Sequence, residues 1–200
     1  MNAWPALRTT PSGDPGPELS ESAWLSMPED TSGEWARGRL EEEEVPDVLH
    51  ELAISWLMAV LRTWLSGKGF VIGSEAKLLV AAQTGRKADV VMFLPGSAPP
   101  PRRGPIRNPP DVLVEVVTST PRDERRDRVE KMSEYAAFGV RWYWILDPAL
   151  GSFEVFERDA AGRYARAAAA TEGRLEVPGC KGLVVDLDAL WGELARLPEE

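Results

Sequence analysis

Val112-Leu113-Val114-Glu115-Val116-Val117 has the pattern of an apolar strand with a carboxylate at its centre. A β-branched run of this kind has the pattern of a strand covered on both faces. An ionised group without a partner in such an interior neutralises or finds a cation. The pattern recurs upstream, where Asp89 opens Val90-Val91-Met92-Phe93-Leu94. Acids on two paired strands have Cβ atoms about 5 Å apart when they face each other. That spacing suits two ligands of one hard cation, and without the cation it drives one pKa sharply up. The alternative is one buried acid satisfied by an arginine or by main-chain amides, with the second acid at an exposed strand end. Spacing alone leaves both open.

Composition narrows what the cation is. The chain has 200 residues, 44% of them hydrophobic, enough for the core of one domain. Residues 1–20, punctuated by Pro5, Pro11, Gly13, Pro15, Gly16 and Pro17, read as a disordered lead-in, and 21–197 as the domain. No apolar run approaches the length of a transmembrane helix, and the N-terminus lacks the charged-then-apolar order of a signal peptide. No membrane partner is expected. Cys180 is the single cysteine, which excludes a disulfide framework and makes the reducing cytoplasm the expected compartment. His50 is the single histidine, so a Cys- or His-based zinc site is not expected. Oxygen ligands favour Mg²⁺, Mn²⁺ or Ca²⁺.

The net charge of −9 weighs against a nucleic-acid surface. It is unevenly spread, with an acidic block at Glu41 to Glu44 and arginines grouped at Arg102, Arg103, Arg107 and at Arg122, Arg125, Arg126, Arg128. Local field counts for more than the total.

Helical periodicity is clearest over 47–65, where Leu49, Leu52, Ala53, Trp56, Leu57, Val60 and Trp64 recur at three- and four-residue steps. Pro46 and Asp47 suit its start and Gly67 its stop. Strands are expected over 70–73, 76–81, 89–94 and 111–118, with a semi-rigid loop rich in Pro and Arg over 95–110. A second helix is expected over 123–138, with Val129, Met132 and Ala136 as its buried stripe. An aromatic strand follows over 141–146, then a hairpin over 153–156 and 164–169, then a closing helix over 186–197. This order predicts a mixed sheet flanked by helices, in the α/β or α+β class.

On the second helix, Asp127 and Lys131 stand four apart and share a face. An exposed pair of this kind is worth only about 0.3–0.5 kcal/mol. Stepping about 100° per residue sets Tyr135 and Phe138 on the Lys131 side and gives Arg126, Glu130 and Glu134 the look of a solvent ladder. Lys131 is therefore expected to flank the buried side and point toward the end of the preceding strand. His50 and Glu51 lie on the first long helix, where a lone histidine is more often structural than catalytic. Thr118 and Ser119 could bind a phosphate, though such residues at strand ends are more often turn formers.

Three segments together resemble a known family: 110–119 (Pro-Asp-Val-Leu-Val-Glu-Val-Val-Thr-Ser), Asp127-x-x-x-Lys131-x-x-x-Tyr135-x-x-x-Gly139-Val140, and Tyr143-Trp144-Ile145-Leu146-Asp147-Pro148. They are similar to the bacterial putative restriction endonuclease family of the PD-(D/E)XK nuclease superfamily. The resemblance runs from about Trp24 to Trp191 and includes Gly38-Arg39-Leu40 and His50.

It implies a restriction-endonuclease-like core and a Mg²⁺-dependent endonuclease acting on DNA, with Mn²⁺ as a substitute. Asp89, Glu115 and the carbonyl of Val116 would bind the metal. The lysine that usually stands two residues after the Glu is replaced by Val117, and Lys131 matches its displaced position, with Asp127 as an orienting group. Ala88 stands where the pattern has Pro, and Pro121 is shifted, which makes Asp123 a rival to Asp127. A catalytically silent DNA- or protein-binding module on the same scaffold is the second reading, and a plain structural domain the third. Some of the eight tryptophans are candidates for a homodimer interface.

Overall fold

The computed structural model describes residues 16–28, 33–41, 46–73, 76–117 and 125–198. Thr118, Ser119, Arg122, Asp123 and most of the 1–20 lead-in lie outside the described residues. Residues 16–20 of the lead-in are docked: Leu19 N–H donates to Gly38 O and Leu40 N–H to Pro17 O.

The fold is α+β, built on a six-stranded mixed sheet of order β10-β9-β8-β7-β6-β3. β7 (Val112–Val116) is central, antiparallel to β6 (Val90–Phe93) and parallel to β8 (Trp142–Asp147). β3 (Phe70–Ile72) forms one edge, and the β9–β10 hairpin (Ser152–Arg158, Tyr164–Ala170) the other. The parallel pairing requires a crossover, which the helical segment after β7 provides.

Both faces of β7 are covered, which explains its unbroken apolar run. Val112, Val114 and Val116 pack on one side with α2 (Val48–Leu65) and α4 (Leu187–Leu194). Leu113 and Val117 pack on the other with Tyr135 and Tyr143. Asp47 caps α2 by accepting from His50 N–H, and Asp186 caps α4 through Ala189 N–H. By length and composition α2 is apolar enough to cross a membrane, yet His50, Ala53, Ile54, Leu57, Leu61 and Leu65 are buried in the domain.

A four-stranded sheet, β2-β1-β5-β4, lies beside the first. Three of its strands were not expected from sequence: β1 (Glu34–Ala36), β2 (Arg39–Glu41) and β5 (Thr84–Lys87); β4 (Lys77–Ala81) was. A further small pair, β11 (Arg174–Glu176) with β12 (Val184–Asp186), was likewise unexpected. Trp24, on α1 (Glu21–Leu25), fills the second sheet's core with Met27, Trp35, Leu40 and Leu79. Its indole lies against Gly85, where an added Cβ would stand 2.4 Å from Trp24 Cζ3. Gly85→Ala is expected to cost about 1–3 kcal/mol, read as a lower midpoint in urea at unchanged m-value.

The second helix departs from its expected phase. Arg126–Lys131 is π-helical and continues as α3 (Met132–Phe138), which Gly139 ends with φ 104°. An i→i+5 turn holds more residues than an α turn, so stepping at the α-helical angle assigns wrong faces. Val129, expected in the buried stripe, is 59% exposed, while Arg126, expected in solvent, is buried. Ala136 is buried as expected.

Candidate active site

The pairing of β6 with β7 brings the two acids together. Val90 pairs with Val114, and Asp89, the residue just before β6, stands beside the end of β7 that carries Glu115. The Val116 N–H donates to Asp89 Oδ2 at 2.6 Å, which ties the two strand ends. His50 Nε2, from the first turn of α2, lies 3.4 Å from the same oxygen.

Glu115 is buried on the face that meets the π-helical segment. Lys131 Nζ donates to its Oε2 at 3.0 Å and Tyr135 OH to its Oε1 at 2.7 Å. Lys131 is itself buried, with Asp127 Oδ1 at 3.3 Å and Glu34 Oε1 at 3.6 Å. Asp127 Oδ1 is inaccessible and makes no hydrogen bond with any described residue. Its main-chain oxygen accepts from Tyr143 OH at 3.0 Å, fixing this turn to β8. The structure thus gathers Asp89, Glu115, Lys131 and Asp127 at one end of β6 and β7, with Lys131 reaching back from its helix to the acid. Glu51 stands at the edge, 3.8 Å from His50 Nδ1.

Sequence reasoning missed Glu34. It is fully buried on β1; Lys87 N–H donates to its Oε1 at 2.7 Å and Arg86 Nη1 to its Oε2 at 2.8 Å. Arg86, 1% exposed, also forks onto Glu134 at 2.7 and 2.9 Å and reaches Glu41 at 3.5 Å. These contacts join the second sheet to the helix that carries Lys131.

The electrostatics are uneven. Burial pushes Glu115 well above the ordinary carboxylate range; Lys131 opposes, and Asp89, Asp127 and Glu34 add to the rise. Asp127 is raised mainly by burial, against Lys131 and Arg126. At Glu34 burial also acts upward, but Lys131, Arg86, Arg126 and the Lys87 amide outweigh it and hold the carboxyl down at about 2. His50 is raised: burial lowers it, and contact with Asp89 and the charges of Asp89, Glu51 and Asp47 outweigh burial. Tyr135 and Tyr143 are raised by burial and then by Glu115, so both remain donors.

Glu115→Gln keeps both contacts, since its amide can accept from Lys131 and donate to the Tyr135 oxygen. The Glu115 carboxyl is raised above its unfolded value. Its contribution to stability is therefore full below the unfolded pKa and lost as pH rises through the folded one. In chelator, Glu115→Gln is expected to be more stable than the parent at neutral pH by on the order of 1 kcal/mol, or about 2–4 °C. The gap should widen from mildly acidic to neutral pH, and melts across that range check it.

The donor set suits a hard divalent cation in kind: all oxygen, with two acids, Glu115 and Asp127, whose ionisation burial opposes. Among the described residues no three His, Cys, Asp or Glu side chains converge as a metal site. An ion here would take two side-chain carboxylates and complete its shell from main chain and water.

The arginines expected on DNA divide. Arg102 and Arg103 are exposed, and Arg125 is exposed with only a 3.7 Å contact to Glu130. Arg107 pairs with Glu21 at 2.6 Å. Arg126 is buried, and Arg128 is bound to Asp147 at 3.1 Å and to Glu154, so neither is placed to meet phosphate.

Residues 19–188 match the Uma2 family, described as "Putative restriction endonuclease". The chain belongs to that family. Among solved structures, the Uma2 chain is similar to a putative nuclease of DUF820 from Anabaena variabilis, with TM-score 0.67 and 16% identity over 86% of this chain and 97% of that one. At that identity the likeness establishes the restriction-endonuclease-like fold. No curated protein matches the Uma2 chain.

Proposed function

We propose that the chain is a Mg²⁺-dependent endonuclease that hydrolyses phosphodiester bonds of DNA in the cytoplasm, with Mn²⁺ able to substitute. The observation that carries this is the Val116 N–H to Asp89 contact, which sets Asp89 beside the residue after Glu115, with Lys131 hydrogen-bonded to Glu115 from the next helix. Membership of the family described as "Putative restriction endonuclease" supports it.

Asp89 and Glu115 would hold the ion with the Val116 carbonyl. The ion, when bound, supplies Lewis acidity to a phosphodiester oxygen and lowers the pKa of water. Lys131 supplies a fixed positive charge that orients the nucleophile or stabilises charge growing on phosphate oxygens. Asp127 holds the Lys131 ammonium in place from one turn away. Among the described residues, the exposed Arg102, Arg103 and Arg125 are available to the backbone, where contacts position the substrate without reading sequence.

Supercoiled plasmid incubated with purified protein and Mn²⁺ is expected to become nicked and then linear, with no change in chelator. Plasmid and linear DNA left intact over a broad range of Mn²⁺ would overturn the enzyme reading.

One observation favours the second reading, a silent nuclease-like binding module. Both oxygens of Glu115 already have donors, Lys131 and Tyr135, so the acid is satisfied without metal. Retarded DNA or a captured partner, without cleavage and without heat of Mn²⁺ binding, would support it.

A further inference from the structure

His50 is buried, at the start of a long core helix, and among the described residues its ring meets one close charged partner. Its Nε2 lies 3.4 Å from Asp89 Oδ2. Its Nδ1 is inaccessible and has no hydrogen-bond partner among the described residues, Glu51 Oε1 being 3.8 Å away. A buried N–H without an acceptor is costly, so these partners assign the proton of the neutral ring to Nε2, aimed at Asp89, and leave Nδ1 bare. The Val116 N–H donates to that same Oδ2. The Val116 amide and the His50 ring thus meet at one oxygen of Asp89, the amide at hydrogen-bond distance and Nε2 at 3.4 Å. Among the described residues no hydrogen bond reaches Oδ1.

We propose that His50 is a positioning residue of the metal site: with the Val116 amide it pins Oδ2 of Asp89, fixes the carboxylate rotamer, and presents Oδ1 to the ion. The inference rests on the metal-dependent reading above. The main-chain donor cannot do this alone, because a single hydrogen bond leaves the carboxylate free to pivot about it. His50 supplies the second point from a helix anchored at Asp47 and by the packing of Ala53, Ile54 and Leu57. Partners that orient a ligating carboxylate typically change metal affinity about 10–100-fold when removed.

The test is a calorimetric Mn²⁺ titration of the parent, His50→Leu and His50→Gln, with melting temperatures of all three in chelator. Glutamine sets an amide N–H close to where Nε2 stands, whereas leucine keeps bulk and loses the donor. The expected result is a Kd weakened about 10–100-fold in His50→Leu and restored to within about threefold of the parent in His50→Gln, with folding in chelator intact. Equal affinity of His50→Leu and the parent overturns the proposal, as does equal weakening in both variants, which would show that the Nε2 donor is not what matters. If His50→Leu fails to fold, His50→Gln decides: parental affinity supports the pinning role and a weakened one overturns it. Absence of Mn²⁺ uptake by the parent is a different failure, because it removes the metal site itself.

Discussion

Lys131→Ala is expected to reduce Mn²⁺-dependent cleavage by about 10²–10³-fold, the usual cost of losing a group that stabilises charge in the transition state. The same substitution should also weaken the fold. Lys131 is buried among Glu115, Asp127 and Glu34, at 3.0, 3.3 and 3.6 Å. Removing one partner from a buried cluster leaves uncompensated charge and costs about 3–5 kcal/mol. The pH dependence follows from the acids left behind. Glu115 and Asp127 already sit above the ordinary range, so each favours the folded state below its unfolded pKa and loses that contribution as pH rises through its folded value. The variant should be closest to the parent in mild acid and furthest from it above neutrality. Because instability could mimic inactivity, cleavage is to be compared at a temperature where circular dichroism shows both proteins folded. Parental rates there would remove Lys131 from the chemistry.

Arg86→Met is expected to be the most destabilising change outside the candidate catalytic set. The guanidinium is 1% exposed and serves Glu34, Glu134 and Glu41 together. Methionine can fill the stem's volume, but it leaves the fully buried Glu34 without its closest cation. The expected loss is about 3–5 kcal/mol, a fall of roughly 6–20 °C for a domain of this size. Lysine should restore little, since it cannot reproduce the two-pronged contact with Glu134. A thermal melt of Arg86→Met and Arg86→Lys reads both. Near-parental stability in either would mean that Glu34 is adequately held by Lys87 N–H and Lys131.

The parts legible in the sequence were those where one residue breaks the pattern around it. Glu115 and Asp89 stand out because an acid in an apolar strand contradicts its neighbours, and their register follows from the strand pairing. Lys131 is legible through its four-residue step from Asp127 and its reach back to Glu115 is realised in the structure. Glu34 and Arg86 were not legible. They lie on strands of three and four residues, Glu-Trp-Ala and Thr-Gly-Arg-Lys, too short for periodicity to emerge. Their burial depends on each other across 52 residues of chain, and no local pattern reports such a pairing. Val129 and Arg126 exchanged faces because the turn between them is π-helical, and nothing in the residue types announces the extra residue per turn. Most of the described tryptophans are core: Trp24, Trp35, Trp142 and Trp144 are buried, and Trp56, Trp64 and Trp191 pack partly buried against the main cluster.

In the proposed function Asp89 and Glu115 together hold one divalent cation. Calorimetric titration of Mn²⁺ into metal-free protein is expected to show saturable uptake by the parent that is lost in Asp89→Asn and in Glu115→Gln while both variants remain folded. No uptake by the parent, or uptake unchanged by either substitution, would show that the two acids do not form a metal site.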